Sequence, residues 1–410
     1  MENARQPAWL SPLLVLPLAG IPLLPTSLEW VAMVVFGGVA IAWRQLWSQK
    51  AAFSGPGKIV LALLAIWLGW GFLSALFSSE SASSMMAMLR LVTLAVGGLA
   101  CGQWMQGRWT QGWTLAAGAA VSAVAVYCLW RFPALGKAAS PPFFQDTNIF
   151  SAVMAMLLPL LAAVVAASLR NWKGWVAAAM CLLLLAATVI FHSRGAWLSL
   201  IGVLLALPLL FLPKPGLRLA WLLAILILGG AYFGYRASRP AETPTTTDPL
   251  GQLRSIGELG QDFSNRERLM RWECAWRMAI DQPAFGQGPG RYPEVFRHYL
   301  RGWTEADRIS YWFGWRFGAH SDSLTTLGET GFVGFFAFVG MLIAAGFVAV
   351  QRVAAAKTRF SMESAMALAL LSWGIHGCFN DLLSDGCLTV WAFFLIGNLL
   401  QPAPDADAAT

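Results

Sequence analysis

Basic side chains cluster in one polar stretch of an otherwise apolar sequence, and they are the residues best suited to chemistry. Four arginines lie between residues 266 and 277, and His320 follows with Ser321 and Asp322. Guanidinium groups bind the oxygens of phosphate and pyrophosphate in bidentate fashion, and a histidine accepts a proton near neutrality. A histidine at a helix start is more often a cap. In the company of these arginines, His320 becomes a candidate general base.

A further arginine interrupts the boundary between two apolar runs. Arg194 is preceded by His192 and Ser193 and followed by Gly195. A tight turn whose arginine reaches up to the membrane interface is one interpretation. The other places Arg194 with the basic cluster on the same side of the membrane, in a site that binds an anionic substrate.

Two charged residues fall inside apolar runs, where lipid makes ionisable groups costly unless they are paired or line a wet cavity. Arg90 and Glu329 lie at similar depth in their runs, so the sequence predicts that they pair with each other or line a cavity. His376 and Asn380 lie near the outer end of a later run. They are expected to line the same cavity or to form hydrogen bonds between helices.

The composition requires that these residues be carried by membrane-spanning helices. The chain has 410 residues, of which 57% are hydrophobic and 12% charged, and its mean hydropathy is +0.59. Apolar runs of roughly 20 residues, the length that crosses a bilayer as a helix, recur along most of the chain. The first run has no small-residue cleavage site and is interpreted as a retained span rather than a signal peptide. We therefore expect an all-α polytopic membrane protein.

The sequence predicts about twelve transmembrane helices. The expected spans are residues 9–25, 29–46, 58–78, 85–106, 112–131, 149–169, 174–192, 196–213, 217–235, 323–350, 362–381 and 385–400. Residues 1–235 would carry spans one to nine and residues 236–319 a large loop. Residues 320–401 would carry the last three spans, and residues 402–410 a cytoplasmic tail.

The distribution of charge along the chain assigns the two sides of the membrane. The net charge is +7, but the basic residues are concentrated in every second loop, as the positive-inside rule expects of cytoplasmic loops. This pattern argues against nucleic acid as a partner. It places both termini in the cytoplasm of a bacterium and the large loop in the periplasm. The six cysteines are scattered without a Cys-x-x-Cys pair, so neither a disulfide framework nor a zinc site is indicated.

Two loops on the periplasmic side are long. Residues 131–148 are rich in proline and predict an irregular loop. The larger loop, from Arg236 to about Ala319, begins as a Pro- and Thr-rich linker and becomes helical around residues 269–280, where apolar residues recur at helical spacing. Trp and Tyr residues between 303 and 317 favour the membrane interface, so this loop is expected to lie as a lid on the outer leaflet.

In order, the motifs resemble those of the O-antigen ligase and polymerase superfamily. The stretches that carry the resemblance are Asp146-Thr147-Asn148; Ser193-Arg194-Gly195-Ala196-Trp197; Arg268-Leu269-Met270-Arg271-Trp272 with Asp281-Gln282-Pro283 and Gly286-Gln287-Gly288-Pro289-Gly290; and His320-Ser321-Asp322-Ser323-Leu324 with Glu329-Thr330-Gly331-Phe332-Val333-Gly334. The order of these motifs, the span count and the late periplasmic loop extend the resemblance over most of the chain.

The resemblance implies a metal-independent C-type glycosyltransferase without a cofactor, which moves an undecaprenyl-pyrophosphate-linked glycan to an acceptor hydroxyl in the inner membrane. Arg194 and Arg268 would hold the pyrophosphate, with Arg266 as the alternative to Arg268, and His320 would activate the acceptor. Asp322 departs from the more common neutral residue at its position and would orient His320 or face water. Asn148, Arg90, Glu329 and His376 would line or support the cavity.

Two other motifs are interpreted as decoys. The glycines at 286, 288 and 290 have neither a preceding strand nor a following Lys-Ser/Thr, so they predict a turn that ends the loop helix. Asp405 and Asp407 imitate a metal-binding Asp-x-Asp motif but belong to the terminal tail.

Among the family's activities, we favour a ligase with a lipid A-core acceptor over a polymerase or a protein O-oligosaccharyltransferase, because one helical loop dominates and no further C-terminal domain follows. A secondary transporter is the alternative from another class. It would show paired halves with broken helices near the midplane, and the sequence has no convincing repeat.

Overall fold

The chain is described by a computed structural model that covers residues 10–24, 29–47, 55–105, 108–135, 147–191, 193–212, 214–237, 263–300, 317–356, 358 and 360–401. Within these ranges the secondary structure is helical. The helices are α1 (Leu10–Gly20), α2 (Glu29–Trp47), α3 (Gly55–Phe77), α4 (Ser81–Trp104), α5 (Arg108–Leu135), α6 (Thr147–Ser168), α7 (Trp172–Ile190), α8 (Arg194–Phe211), α9 (Pro215–Ala237), α10 (Phe263–Asp281), α11 (Tyr292–Val295), α12 (Asp322–Ala355), α13 (Met362–Gly377) and α14 (Gly386–Leu399).

The predicted polytopic helical architecture is confirmed. Each of the twelve expected spans coincides with a helix, and α10 and α11 lie between the ninth and tenth of them. In the described part of the chain, seven helices are long and apolar enough to cross a membrane, and further apolar helices are shorter. Charged residues within the spans are few, and Arg90 in α4 and Glu329 in α12 are among them. Such residues are costly in lipid unless they are paired or line a cavity.

The centre of the bundle is built on close contact between α4 and α14. Each residue of α14 is buried, and glycines in α4 allow its backbone to approach. A Cβ atom at Gly98 would lie 2.4 Å from the carbonyl oxygen of Val390, and one at Gly102 would lie 2.2 Å from that of Phe394. Two small residues four positions apart are a common contact between membrane helices. This contact fixes the connection that leads into α14, where Asp381 lies.

The glycine-rich segment after α10 is a turn, as the sequence predicts. Gly286, Gly288 and Gly290 have φ values of 64°, 102° and 76°, a region that glycine enters without steric cost. The backbone N–H groups of Gln287 and Gly288 donate to the carbonyl oxygens of Gly328 and Glu329 in α12, at 3.0 and 2.9 Å. The two glycine-containing motifs, far apart in sequence, therefore bind each other through their backbones.

The helix α12 is interrupted where this turn binds it. Gly331 has φ 68° and ψ −169°, which breaks the helix into two segments. The N–H of Phe332, directly after the break, donates to the carbonyl oxygen of Pro283 at 2.9 Å. The break thus provides backbone groups that tie the polar segment to the membrane helix.

A face of α3 clamps the turn and the broken helix together. Trp70 and Ser74 of α3, and Ser78 directly after its end, lie four residues apart and so lie on one side of the helix. The indole Nε1 of Trp70 donates to the carbonyl oxygens of Ala284 (2.9 Å) and Thr330 (3.2 Å). Ser74 donates to Phe285 and Glu329, and Ser78 to Gln287. We call α3, the turn 283–290 and residues 328–332 of α12 the glycine junction.

Several predictions concern residues outside the described ranges. They are His192, most of the proline-rich loop after α5, the Pro- and Thr-rich linker, the aromatic lid between 303 and 316, and the terminal tail with Asp405 and Asp407. Within the described part, α5 continues to Leu135, beyond the predicted end of the span at Arg131. The predicted helix within the large loop is confirmed as α10.

Candidate functional site

His320 is held in an unusual backbone conformation just before α12. Its φ is 53°, and among the described residues no other residue except glycine has a positive φ. Positive φ values are rare in non-glycine residues and concentrate at functional sites. Its N–H donates to Asp381 Oδ2 at 2.9 Å. Thr325 donates its hydroxyl to Asp381 Oδ1 and accepts from the N–H of Ala319 at 2.7 Å. Asp381 and Thr325 therefore fix the backbone on both sides of the turn.

The imidazole ring of His320 lies between two carboxylates. Its Nδ1 is 3.9 Å from Asp381 Oδ2 and its Nε2 is 3.9 Å from Glu267 Oε1, with the side chain 17% exposed. Phe317 stacks on the ring at a centroid distance of 5.4 Å. Both N–O separations exceed a hydrogen bond, so neither carboxylate holds a ring nitrogen in a direct hydrogen bond. Nearby carboxylates stabilise a histidine that has taken a proton.

Glu267 stays ionised at neutral pH. Burial alone would raise the pKa of its carboxyl group, but its interactions with His320 and Arg271 outweigh burial and lower the pKa below its ordinary value of 4.5. The carboxyl group next to His320 is thus a negative charge throughout the neutral range.

Arg271 positions this region and does not face a substrate. Its side chain is 0% exposed, with Nε 3.2 Å from Glu267 Oε1. It donates to the carbonyl oxygens of Phe317 (3.0 Å) and Gly318 (3.1 Å), and its guanidinium lies over the ring of Phe296 at 4.8 Å. Arg271 therefore ties α10 to the segment that carries His320. The basic cluster of α10 is divided between this structural role and the candidate binding role of its neighbours.

Arg194 and Arg268 both lie beside the C-terminal end of α13. Arg194 occupies the first position of α8 after the N-cap Ser193. The next residue, Gly195, touches α13: a Cβ there would be 2.8 Å from His376 Nε2 and 2.9 Å from Asn380 Nδ2. Arg268 donates from Nε to the carbonyl oxygen of Phe379 at 3.2 Å. The helix ends that carry the two arginines are therefore brought together.

Arg266 and Arg268 differ in burial. Arg268 is half-buried and contacts the α13 end, with a further hydrogen bond to Ser264 Oγ at 2.7 Å, whereas Arg266 is exposed. The hydrogen bond of Arg268 to Phe379 places it near His376, three residues earlier in the chain. Asn148 lies half-buried in the first turn of α6, and no hydrogen bond joins it to the other candidate residues in the described structure.

A cavity of about 250 Å³ lies next to the His320 turn, between α3, α4 and α12. Three acids and one arginine contribute to its wall: Asp322, Glu329, Asp381 and Arg90. Glu329 Oε1 accepts from the N–H of Tyr292 at 3.1 Å. The expectation that Arg90 and Glu329 line a cavity agrees with this arrangement.

The predicted ion pair between Arg90 and Glu329 is wrong. Arg90 Nε donates to Glu29 Oε2 at 2.9 Å, and its terminal nitrogens reach the carbonyl oxygens of Leu383 and Ser384. The start of α2 places Glu29 at the same depth as Arg90 and closer to it. The position of Arg90 within an apolar run predicted that it needs an acidic partner. The sequence did not show which acid that partner is.

The two roles expected for Asp322 are also corrected. Its side chain is 5% exposed and so does not face water. Its Oδ1 accepts from the N–H of Leu383 at 2.9 Å, which ties the start of α12 to the loop before α14. The carboxylate that contacts His320 from this loop is Asp381.

Sequence reasoning missed Asp381 and Glu267 as members of the site. From the sequence Asp381 is an ordinary acid in a short connection, and Glu267 stands unremarked between two candidate arginines. A signal was present for Glu267, since it lies one helical turn before Arg271 and can pair with it. For Asp381, 61 residues beyond His320, the sequence has no comparable signal.

The comparison with known families agrees with the motifs. Residues 179–339 match the family model described as O-antigen ligase, Wzy_C. This range includes Arg194, Arg266, Arg268 and His320 and extends past the break at Gly331. No curated protein matches the chain significantly. The resemblance drawn from the motifs is confirmed: residues 179–339 match the O-antigen ligase family model, within a multi-pass helical membrane protein.

Proposed function

We propose that the protein is a metal-independent, inverting glycosyltransferase that joins an undecaprenyl-pyrophosphate-linked O-antigen glycan to a sugar hydroxyl of lipid A-core. One observation carries the proposal. Within an O-antigen ligase domain, His320 lies between Glu267 and Asp381, at the same end of the bundle as Arg194 and Arg268. A candidate base and candidate anion-binding groups thus share one site.

The arginines would act on the donor. When the glycosidic bond to the pyrophosphate breaks, its electron pair leaves with the phosphate oxygen and negative charge develops there. Preorganised guanidinium groups stabilise that charge best where water is partly excluded. Arg194 and Arg268, both half-buried beside α13, fit this role. The released undecaprenyl pyrophosphate needs no nucleotide to drive its departure.

His320 would act on the acceptor. The acceptor oxygen forms a bond to the anomeric carbon as the pyrophosphate leaves, and His320 takes the hydroxyl proton. In-line attack of this kind inverts the anomeric centre. The carboxylates of Glu267 and Asp381 would then stabilise the imidazolium. A positioned base of this kind contributes about 10²- to 10⁴-fold to the rate.

The cavity beside the His320 turn is a suitable place for the acceptor sugar. Its volume of about 250 Å³ lies just below the usual range for ligand pockets, so it suits one ring of a larger glycan. Carboxylates and the hydroxyls of Thr325 and Thr326 in its wall can exchange hydrogen bonds with sugar hydroxyls. In this proposal the cavity would take the acceptor, and the arginines beside α13 would take the donor.

We further propose that the site faces the periplasm, with the protein in the inner membrane and both termini in the cytoplasm. The basic loops alternate with the connections that carry the site. Contacts such as Arg90 with Glu29, and Gly195 with Asn380, join those connections at one end of the bundle. A periplasmic site also suits a donor and an acceptor that both carry long glycans.

The test is glycan transfer by the purified protein. Wild type and the variants His320→Ala, Arg194→Ala and Arg268→Ala are incubated with undecaprenyl-pyrophosphate-linked glycan and lipid A-core, with and without EDTA, and transfer is read on a gel. We expect wild type to transfer in both conditions and each variant to lose at least about 10²-fold in rate. Arg297→Ala, an exposed arginine of the same loop, is the matched control and should transfer normally.

Other outcomes identify the alternatives. If wild type lengthens the lipid-linked glycan, the enzyme is a polymerase; if it modifies only a protein hydroxyl, it is a protein O-oligosaccharyltransferase. Loss of transfer in EDTA contradicts metal independence. If no glycan moves with any of the three acceptors, the glycosyltransferase proposal fails and transport is the next function to test.

A further inference from the structure

His376 is a buried histidine whose hydrogen-bonding groups are unsatisfied. It lies in the last turn of α13 and is 0% exposed. Neither Nδ1 nor Nε2 has a hydrogen-bond partner in the described structure. A neutral imidazole carries one donor and one acceptor, and leaving them unmade in the interior is costly. Buried polar groups of this kind mark sites where a ligand or a functional constraint has to be considered.

The surroundings of His376 select the chemistry of a ligand. Gly195 lies so close to the ring that a Cβ would be 2.8 Å from Nε2, and Gly195 directly follows Arg194. The charge of Arg268 acts on the histidine electrostatically. A group that meets this ring together with two guanidinium groups has to be anionic and rich in oxygen. Phosphate has both properties.

We propose that His376 donates a ring N–H to a phosphate oxygen of the lipid-linked donor and completes a binding subsite with Arg194 and Arg268. The inference rests on the proposed function and adds a residue that lies outside the matched family segment, residues 179–339. His376 is here a binding residue that orients the pyrophosphate. It forms no covalent bond and transfers no proton.

A purely structural explanation would need a partner inside the protein, and Asp322 is one candidate. Its Oδ2 also lacks a partner and lies near the next residue of α13, where a Cβ at Gly377 would be 2.7 Å from it. The two groups form no hydrogen bond in the structure. If they nevertheless stabilise each other, variants at the two positions will be non-additive in stability.

The first experiment compares stability with donor binding in full-length protein. His376→Phe keeps a planar ring and removes both polar atoms. Because the buried ring nitrogens have no hydrogen-bond partner in the protein, this change should leave the thermal stability unchanged or raise the Tm. We expect Tm to be unchanged or raised, affinity for undecaprenyl pyrophosphate to fall about tenfold or more, and KM for lipid A-core to stay the same. Unchanged affinity for undecaprenyl pyrophosphate in folded His376→Phe overturns the proposal.

A second pair of variants keeps the test decisive if the phenylalanine variant does not fold. The side chain of His376→Gln carries an N–H group at nearly the same distance from the backbone as the histidine ring does. The side chain of His376→Asn is shorter, so its N–H group lies closer to the backbone. We expect Gln to bind undecaprenyl pyrophosphate within about threefold of wild type and Asn to bind about tenfold more weakly. Equal affinities in the two variants contradict a direct hydrogen bond. His298→Phe, at an exposed histidine of the loop, is the control and should bind as wild type does.

Additional probes separate the possible sources of phosphate. The binding assay includes undecaprenyl phosphate and vesicles of phosphatidylglycerol beside undecaprenyl pyrophosphate. An effect of His376→Phe confined to the polyprenyl lipids supports the donor subsite, and an equal effect on phosphatidylglycerol overturns it in favour of a general lipid headgroup site. A wild type that binds undecaprenyl pyrophosphate but transfers no glycan refutes the proposed function and leaves the subsite standing.

Discussion

The carboxylate of Glu267 connects two basic residues of different roles. Its Oε1 is 3.2 Å from Arg271 Nε and 3.9 Å from His320 Nε2. Because the folded protein lowers its pKa below 4.5, the ionised carboxylate stabilises the fold above that value. This contribution is lost as the pH falls through the lowered folded-state pKa.

We expect Glu267→Gln to lower stability near neutral pH and to have little effect in acid. The loss at neutral pH should be on the order of 2 kcal/mol, because Arg271 keeps its carbonyl partners but loses a charged one. The difference in Tm between wild type and variant should shrink as the pH falls below 4.5. Thermal unfolding in detergent over this pH range measures it.

A matched control lies six residues further along the same helix. Glu273 pairs with Arg277 through another i,i+4 contact, but its side chain is 42% exposed. Exposed pairs of this spacing contribute about 0.3–0.5 kcal/mol, so Glu273→Gln should change Tm little at any pH. A Glu267→Gln effect that is equally large in acid would contradict a role for the ionised carboxylate.

At the scale of elements, the glycine junction joins the loop to the membrane helices through backbone atoms. Gly286 has φ 64°, and a Cβ there would lie 2.4 Å from the carbonyl carbon of Glu329. Both the backbone conformation and the close contact exclude a side chain. The junction therefore depends on glycine at this position for two separate reasons.

Gly286→Ala should destabilise the protein by at least about 2 kcal/mol, from left-handed strain together with displacement of α12. The measurement is Tm and the yield of monodisperse protein. Gly346→Ala is the control in α12, since a Cβ there has nothing within 4 Å and alanine favours helix. If both variants unfold alike, the junction does not hold the loop in the way described.

The sequence predicted the helices far better than their irregularities. Apolar runs of sufficient length predicted the bounds of α6, α7 and α8 within a few residues, because lipid enforces helical hydrogen bonding over such runs. The break at Gly331 was not predicted, although the motif that contains it was. A glycine in an apolar run is common in membrane helices, and only the opposing turn at 283–290 explains why this one leaves the helix.

At the scale of the whole molecule, Arg90 in the interior of α4 joins the starts of two other helices. It binds Glu29 at the start of α2 and the carbonyl oxygens of Leu383 and Ser384 before α14, from its own place in α4. The pair is only partly buried, with side-chain exposures of 23% and 27%. The arrangement holds the loop of Asp381 against the bundle.

A double-mutant cycle between Arg90→Met and Glu29→Gln should give a coupling energy of about 1 kcal/mol or more, since the two side chains share hydrogen bonds. Unfolding in SDS measures the free energies. The same cycle between Arg90→Met and Glu329→Gln is the control, and its coupling should be near zero. The reverse ranking would restore the pair expected from sequence and contradict the structure.

The candidate site could be predicted in part for a physical reason. Arg194, Arg268 and His320 are ionisable residues in an apolar chain. Such residues are energetically unfavourable near lipid, so their presence in the sequence indicates a function. Asp381 comes from a short polar connection where acids are ordinary. Its importance arises from its contact with residue 320, which only the folded chain brings near.

The glycine junction also has a consequence for biogenesis. Trp70 finds its acceptors 214 and 260 residues later in the chain, so α3 enters the membrane long before its partners are synthesised. Contacts of such sequence separation form late. Residues 194 and 268 are synthesised earlier. The structure around them is complete only after α12 has inserted and has packed against the turn. A nascent chain halted before residue 330 would thus be inserted but unassembled, with its indole and hydroxyl donors left to other partners in the bilayer.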